Sequence, residues 1–304
     1  MSWLLFMVIS IFMFSVGNIF DKIILSRYIN LKNMLGYLNM LFLMHIVNFA
    51  VFLPFATLSS INIEVSLLML LRTFLLVLSI YVGTRLMIKE EVSRLIGLMF
   101  TNILIAFVLD YLLFNTRLSL LGYLGAVMLL CNGFLMTYKP SKKIFMDRED
   151  IFYVLINILI WGSYAVVVKA ITHHIDSFTF LTIDAFNLFI VGVIWHIFLK
   201  NIRKDARKIF MLGWKFWITF SLMMAAYIPA LFFYFKAFSL QAVSVLVPFE
   251  TLQPMFVLLI ALFMSRYFPK ILKEESDVKT ISYKLVALLL LAIGVYIMVT
   301  FGAR

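Results

Sequence analysis

The stretch AVSVLVPFETLQPMFVLLIALF at 242–263 carries a single carboxylate, Glu250, between Pro248 and Pro254. A charge at bilayer depth costs at least about 2.5–3.5 kcal/mol on insertion scales, so such a group faces a cavity or an interior partner. Each proline removes a backbone donor and can bend its helix, which frees carbonyls beside the acid for water or a solute. Gln253 follows one turn later on the same face. The expectation is a bent helix that presents a carboxylate and an amide to a central cavity. The alternative is a protonated glutamate hydrogen-bonded between helices. In the first reading a proton and a cationic solute would compete for the same carboxylate.

Other polar groups fall within apolar runs. Asp184, in LTIDAFNLF, has Asn187 three residues on; Asp184 is either a second acid of the cavity or a polar contact between packed helices. Arg72, in LMLLRTFLL, reads as an internal counter-ion, as a snorkelling side chain or as a binder of a substrate carboxylate. Asp110 lies near enough to the end of its run to be interfacial. Asn18, Asn102 and Tyr227 complete the candidates together with Trp161 and Tyr164, which stand three residues apart beside Gly162. An aromatic face holds a desolvated cation with about 2 kcal/mol. With 32 Phe and 13 Tyr in the chain, most rings must nevertheless face lipid or packing.

These residues need long apolar elements to position them. Hydrophobic residues make up 64% of the 304 positions and charged ones 13%, far from the balance of a soluble domain. Segments long enough to span the bilayer as helices recur at 3–25, 35–57, 65–87, 92–113, 118–137, 151–169, 178–199, 214–236, 242–265 and 281–301. The expected fold is therefore an all-α membrane protein of ten transmembrane helices. The first segment lacks the basic leader and small-residue cleavage site of a signal peptide and reads as a retained helix. Cys131 is the one cysteine, so no internal disulfide can form.

The net charge is +11, and 21 of the 26 Lys and Arg follow odd-numbered segments. That is the positive-inside pattern. It places the basic loops in the cytoplasm and both termini outside. The run KNIRKDARK at 200–208 then reads as a loop attracted to anionic membrane lipids, with no nucleic-acid partner. An integral, multi-pass protein of the cell (inner) membrane is expected.

The basic break at 138–150 separates five segments from five, which gives a first repeat at 1–140 and a second at 141–304. Gly17 matches Gly162 in the first helix of each half. EVSRLIGLMFTNILIAFVLDYLL at 91–113 aligns with AVSVLVPFETLQPMFVLLIALFM at 242–264, pairing Val92-Ser93 with Val243-Ser244 and Asn102 with Gln253, and the same shift pairs Arg85 with Lys236. Five is odd, so the second copy enters from the opposite face and the repeats are inverted. Such proteins bind substrate near the midplane where the halves meet and expose it to alternate sides.

With Trp161-Gly162 followed by Lys169, and Pro254 in the ninth segment, the chain resembles the EamA-type members of the drug/metabolite transporter superfamily. The resemblance covers nearly the whole chain through loose patterns of small, apolar and proline positions. It implies the ten-helix inverted-repeat fold and a secondary transporter of a small metabolite or amphipathic solute. Two departures stand out. Asn115 and Arg266 replace the acid that often closes the fourth helix of each half, and the usual orientation has cytoplasmic termini, opposite to the charge count.

Chemistry of other kinds finds little support. No GxxxxGK[ST] loop occurs, which argues against ATP hydrolysis within the chain. His173-His174 with Asp176 reads as a solvated loop rather than a metal site, and His45 and His196 read as packed histidines. No cofactor, metal or catalytic residue is expected. A lipid or lipid-linked-headgroup flippase on the same fold is the alternative, favoured by a lateral opening and basic cavity residues such as Arg72. An integral-membrane enzyme would need an interfacial cluster of acids or histidines, where the loops supply mostly lysine.

Overall fold

The computed structural model describes residues 2–89, 100–137, 148–264 and 278–302. Among them the regular elements are helices: α1 Ser2–Tyr28, α2 Met34–Phe52, α3 Ile63–Lys89, α4 Asn102–Phe114, α5 Leu120–Thr137, α6 Arg148–Ile171, α7 Ser177–Phe198, α8 Lys200–Phe210, α9 Trp214–Leu240, α10 Val243–Leu246, α11 Gln253–Met264 and α12 Val278–Phe301. Short 3-10 turns occupy Leu53–Phe55, Leu58–Ser60 and Val247–Leu252.

Seven stretches are long and apolar enough to cross a membrane: Ser2–Tyr28, Met34–Phe55, Ile63–Ile88, Arg148–Ile171, Ser177–Phe198, Trp214–Leu240 and Ser282–Phe301. The outward faces agree with that length. Leu67, Phe74, Leu113, Phe152 and Leu289 are each at least 60% exposed, large apolar side chains that lipid rather than water would cover. The chain is an integral membrane protein. Three shorter apolar helices, Asn102–Phe114, Leu120–Leu135 and Val243–Val257, overlap the fourth, fifth and ninth segments expected from hydropathy. The first residues of the fourth segment, with Val92-Ser93, lie outside the described residues, as do the expected boundary between halves at 140/141 and Arg266.

Local chemistry sets the helix ends. Asp176 caps α7, its carboxylate accepting from the amides of Phe178 (2.8 Å) and Thr179 (3.1 Å), donors that the first turn otherwise leaves unpaired. Asn115 closes α4 with φ 52°, a left-handed conformation that asparagine tolerates better than most residues. The KNIRKDARK run expected as a loop is instead α8. It buries Ile202, Ala206 and Ile209 on one face and turns its cations outward, an amphipathic arrangement suited to a membrane surface.

The helices pack in definite pairs. α1 lies along α9 and α3 along α6; α1 also contacts α11, and α6 contacts α4. α2 packs on α7, α5 on α12, and α4 meets the 3-10 turn Val247–Leu252. Polar side chains lock several of these pairs. The Ser10 hydroxyl donates to the Ala230 carbonyl (2.8 Å) and the Asn39 amide to the Gly192 carbonyl (2.7 Å). At Gly192 a Cβ would come within 2.8 Å of the Leu43 backbone nitrogen, so the close approach of α2 and α7 requires glycine there.

Candidate functional site

The ninth apolar segment is not one bent α-helix. Pro248 and Pro254 flank a stretch that is wound as a 3-10 turn between α10 and α11. Three carbonyls in this stretch have side-chain partners. Pro248 O accepts from the Thr251 hydroxyl (2.7 Å), Thr251 O from the Asn132 amide on α5 (3.1 Å), and Gln253 O from the Ser15 hydroxyl on α1 (3.4 Å). Irregular backbone at membrane depth persists where other helices satisfy it in this way. Asp110, expected at the interface, is buried, and its carboxylate accepts from the Ser244 amide (2.9 Å) at the start of α10. The reason is geometric: α4 ends beside α10, whose first amides need an acceptor.

The 3-10 turn aims Glu250 into a cavity of about 300 Å³ lined by α1, α2, α3, α4, α6, α7, α9 and the start of α11. Of the ten residues proposed from sequence, eight line it: Glu250, Gln253, Asp184, Trp161, Tyr164, Asn18, Asn102 and Tyr227. The Tyr234 hydroxyl donates to Glu250 Oε1 (3.0 Å), and Asn102 lines the same cavity. Trp161 and Tyr164 stand edge to face, with ring centroids 5.1 Å apart.

The other two candidates lie behind the wall. Arg72 is fully buried and ion-paired with Asp184, its Nη2 donates to the Tyr164 hydroxyl (2.8 Å), and its guanidinium lies over the Phe180 ring. Asn187 donates to Thr73 Oγ1 (3.2 Å) across the α7–α3 contact. Asp184 is thus both a lining residue and a packing contact. It faces the cavity while Arg72 balances its charge.

A second polar cluster in the same cavity joins two of the candidates, Asn18 and Tyr227, to Asp21, Tyr37, His45, Ser79 and Asn157, which were not among them. Asp21 accepts from the Tyr37 hydroxyl (2.9 Å), and the Tyr227 hydroxyl donates to Asn18 Oδ1 (2.7 Å). His45 shares a hydrogen with the Leu41 carbonyl (2.8 Å), and Ser79 donates to Asn157 Oδ1 (3.0 Å). The available signal was heptad spacing. Phe14 and Asp21 are seven residues apart, two turns along one face of α1.

No family model and no curated protein matches this chain. Twenty-eight solved chains match. One of them, described only as "Crystal structure of protein", superimposes with a TM-score of 0.69 over 97% of this chain and 96% of its own, at 12% identity. At that identity the likeness is one of fold alone.

Proposed function

We propose that the chain is a secondary transporter for a small metabolite or amphipathic solute, built from two inverted five-helix repeats and related to the EamA-type drug/metabolite transporters. The observation that carries the reading is the cavity. Its wall is mostly apolar with a few converging polar groups, it is of metabolite size, and it is lined by helices from both sides of the break at 138–147.

The packing pattern supports the repeat. Take α1, α2, α3, α4 and α5 as the first half, and α6, α7, α9, the α10–α11 segment and α12 as the second. Exchanging the halves turns the α1–α9 contact into α6–α3 and the α1–α11 contact into α6–α4, while α2–α7, α5–α12 and the contact of α4 with the 3-10 turn map onto themselves. A two-fold relation between halves produces such a list, and rocking about it would open the cavity to either side in turn. One sequence match does not follow the exchange: Gly17 abuts Tyr227 of α9, whereas Gly162 abuts Ile105 of α4.

Glu250 is the functional centre in this reading. Glu250→Gln keeps the volume and the acceptor for Tyr234 and deletes the charge. The folded protein should survive while flux in proteoliposomes, or stabilisation by substrate, falls at least about ten-fold, near 1.4 kcal/mol. Native flux with unchanged pH dependence would make the carboxylate structural.

A further inference from the structure

The cavity lies inside a protein of net charge +11, yet its wall is acidic. Three carboxylates line it, Asp21, Asp184 and Glu250, and among the described residues no lysine or arginine does. Arg72 balances Asp184. Lys22, whose charge is felt at Asp21, directs its ammonium to the Met87 carbonyl (3.0 Å). Glu250 and Asp21 remain as two acceptor poles, each steadied by one tyrosine hydroxyl.

An independent feature marks the Glu250 pole. Asn102 is 94% buried and lines the cavity with Glu250, while its Oδ1 has no hydrogen-bond partner. A buried carbonyl oxygen left without a donor is costly. Beside a carboxylate, a cationic ligand N–H satisfies both the acceptor and the charge, and a carboxylate or phosphate would be repelled.

The separation of the poles follows from α1. Tyr234, which holds Glu250, lies edge to face against Phe14, ring centroids 6.0 Å apart. Asp21 is two turns further along the same face, about 10 Å at 1.5 Å per residue. Between them stand the rings of Phe14 and Tyr227, 6.1 Å apart, an apolar wall suited to methylene groups.

We propose that the cavity binds an elongated solute with a cationic nitrogen at each end, of the aliphatic diamine class, with one end on Glu250 and Asn102 and the other on Asp21. The inference rests on the reading of the cavity as a transport site and names its substrate class. The full chain in detergent is titrated with putrescine and cadaverine, with butylamine and pentylamine as single-cation controls, and with succinate as an anion, thermal stabilisation being the readout. Diamines should act at concentrations about ten-fold or more below those of the monoamines, one pole adding at least 1.4 kcal/mol. Asp21→Asn, which keeps an acceptor for Tyr37, should abolish that advantage and leave monoamine binding in place; Glu250→Gln should weaken both. Unliganded melting reports folding. If Asp21→Asn fails to fold, Asp21→Glu, which brings the poles closer, should shift the preference towards the shorter diamine.

Equal potency of diamines and monoamines, an unchanged ratio in the Asp21 variant that folds, or stabilisation by succinate alone would overturn the proposal. Proteoliposome flux separates the two claims. Diamine binding without flux would sink the transport reading and leave the binding site standing. Flux of another solute class without diamine binding would do the reverse.

Discussion

Arg72 shows what a single residue can and cannot reveal before its partner is known. A guanidinium in an apolar run must be neutralised or solvated, and the structure pairs it with Asp184 and Tyr164 rather than with Glu250. Removing one member of a buried pair leaves the other uncompensated, a cost of about 3–5 kcal/mol. Arg72→Gln and Asp184→Asn should each lower the melting temperature sharply, and the double variant should recover much of the loss. Strictly additive losses in that cycle would mean that the two groups are not coupled. Part of the cavity's polar lining was legible because Glu250, Asp184, Asn18 and Asn102 are polar groups deep in apolar runs, where lipid is excluded as a neighbour. Asp21 was not. It sits beside Lys22 near the end of its segment, a place where a charge also belongs at the membrane surface, and only the approach of Tyr37 from α2 brings it into the cavity. Asn187 illustrates the converse, since three residues along a helix from Asp184 gives a shared face but not a shared partner.

The broken ninth segment is the element on which the site depends. Prolines at both ends announced a departure from regular helix, but their spacing carries no information on who would accept the backbone groups set free. That depends on Asn132 and Ser15, on helices distant in sequence. Asn132→Leu keeps the volume of the side chain and removes its donor to Thr251 O, so it should destabilise the protein by about 1–3 kcal/mol, the cost of a buried unsatisfied carbonyl. It should also loosen the turn that aims Glu250. The expected signature is therefore a lower melting temperature together with weaker substrate stabilisation, and a loss of neither would show that Asn132 does not hold the turn. The same limit explains α8. A basic run with apolar residues four and three apart is amphipathic by pattern, yet its high charge disguised it as a loop until burial of Ile202, Ala206 and Ile209 supplied the missing energy.

At the scale of the whole molecule, spanning helices and a cavity between them are compatible with either orientation in the membrane, so the distribution of charge must choose. We propose that the basic loops are cytoplasmic and both termini outside, because 21 cations follow odd-numbered segments against four after even-numbered ones and insertion responds to the lysines and arginines present in the chain. α8 supplies the most decisive position. It is held against α2, leaves the side chain of Lys204 exposed and carries five of the cations. Near an anionic leaflet each of these gains roughly 1 kcal/mol. Lys204→Cys, in a Cys131→Ser background because the native thiol is itself exposed, should resist a membrane-impermeant maleimide in intact cells and react once the cells are permeabilised. A cysteine replacing Ser60, in the short turn between α2 and α3, should behave in the opposite way. Reversal of both patterns would put the termini in the cytoplasm and rank the family habit above the charge count, with the packing and the cavity unaltered.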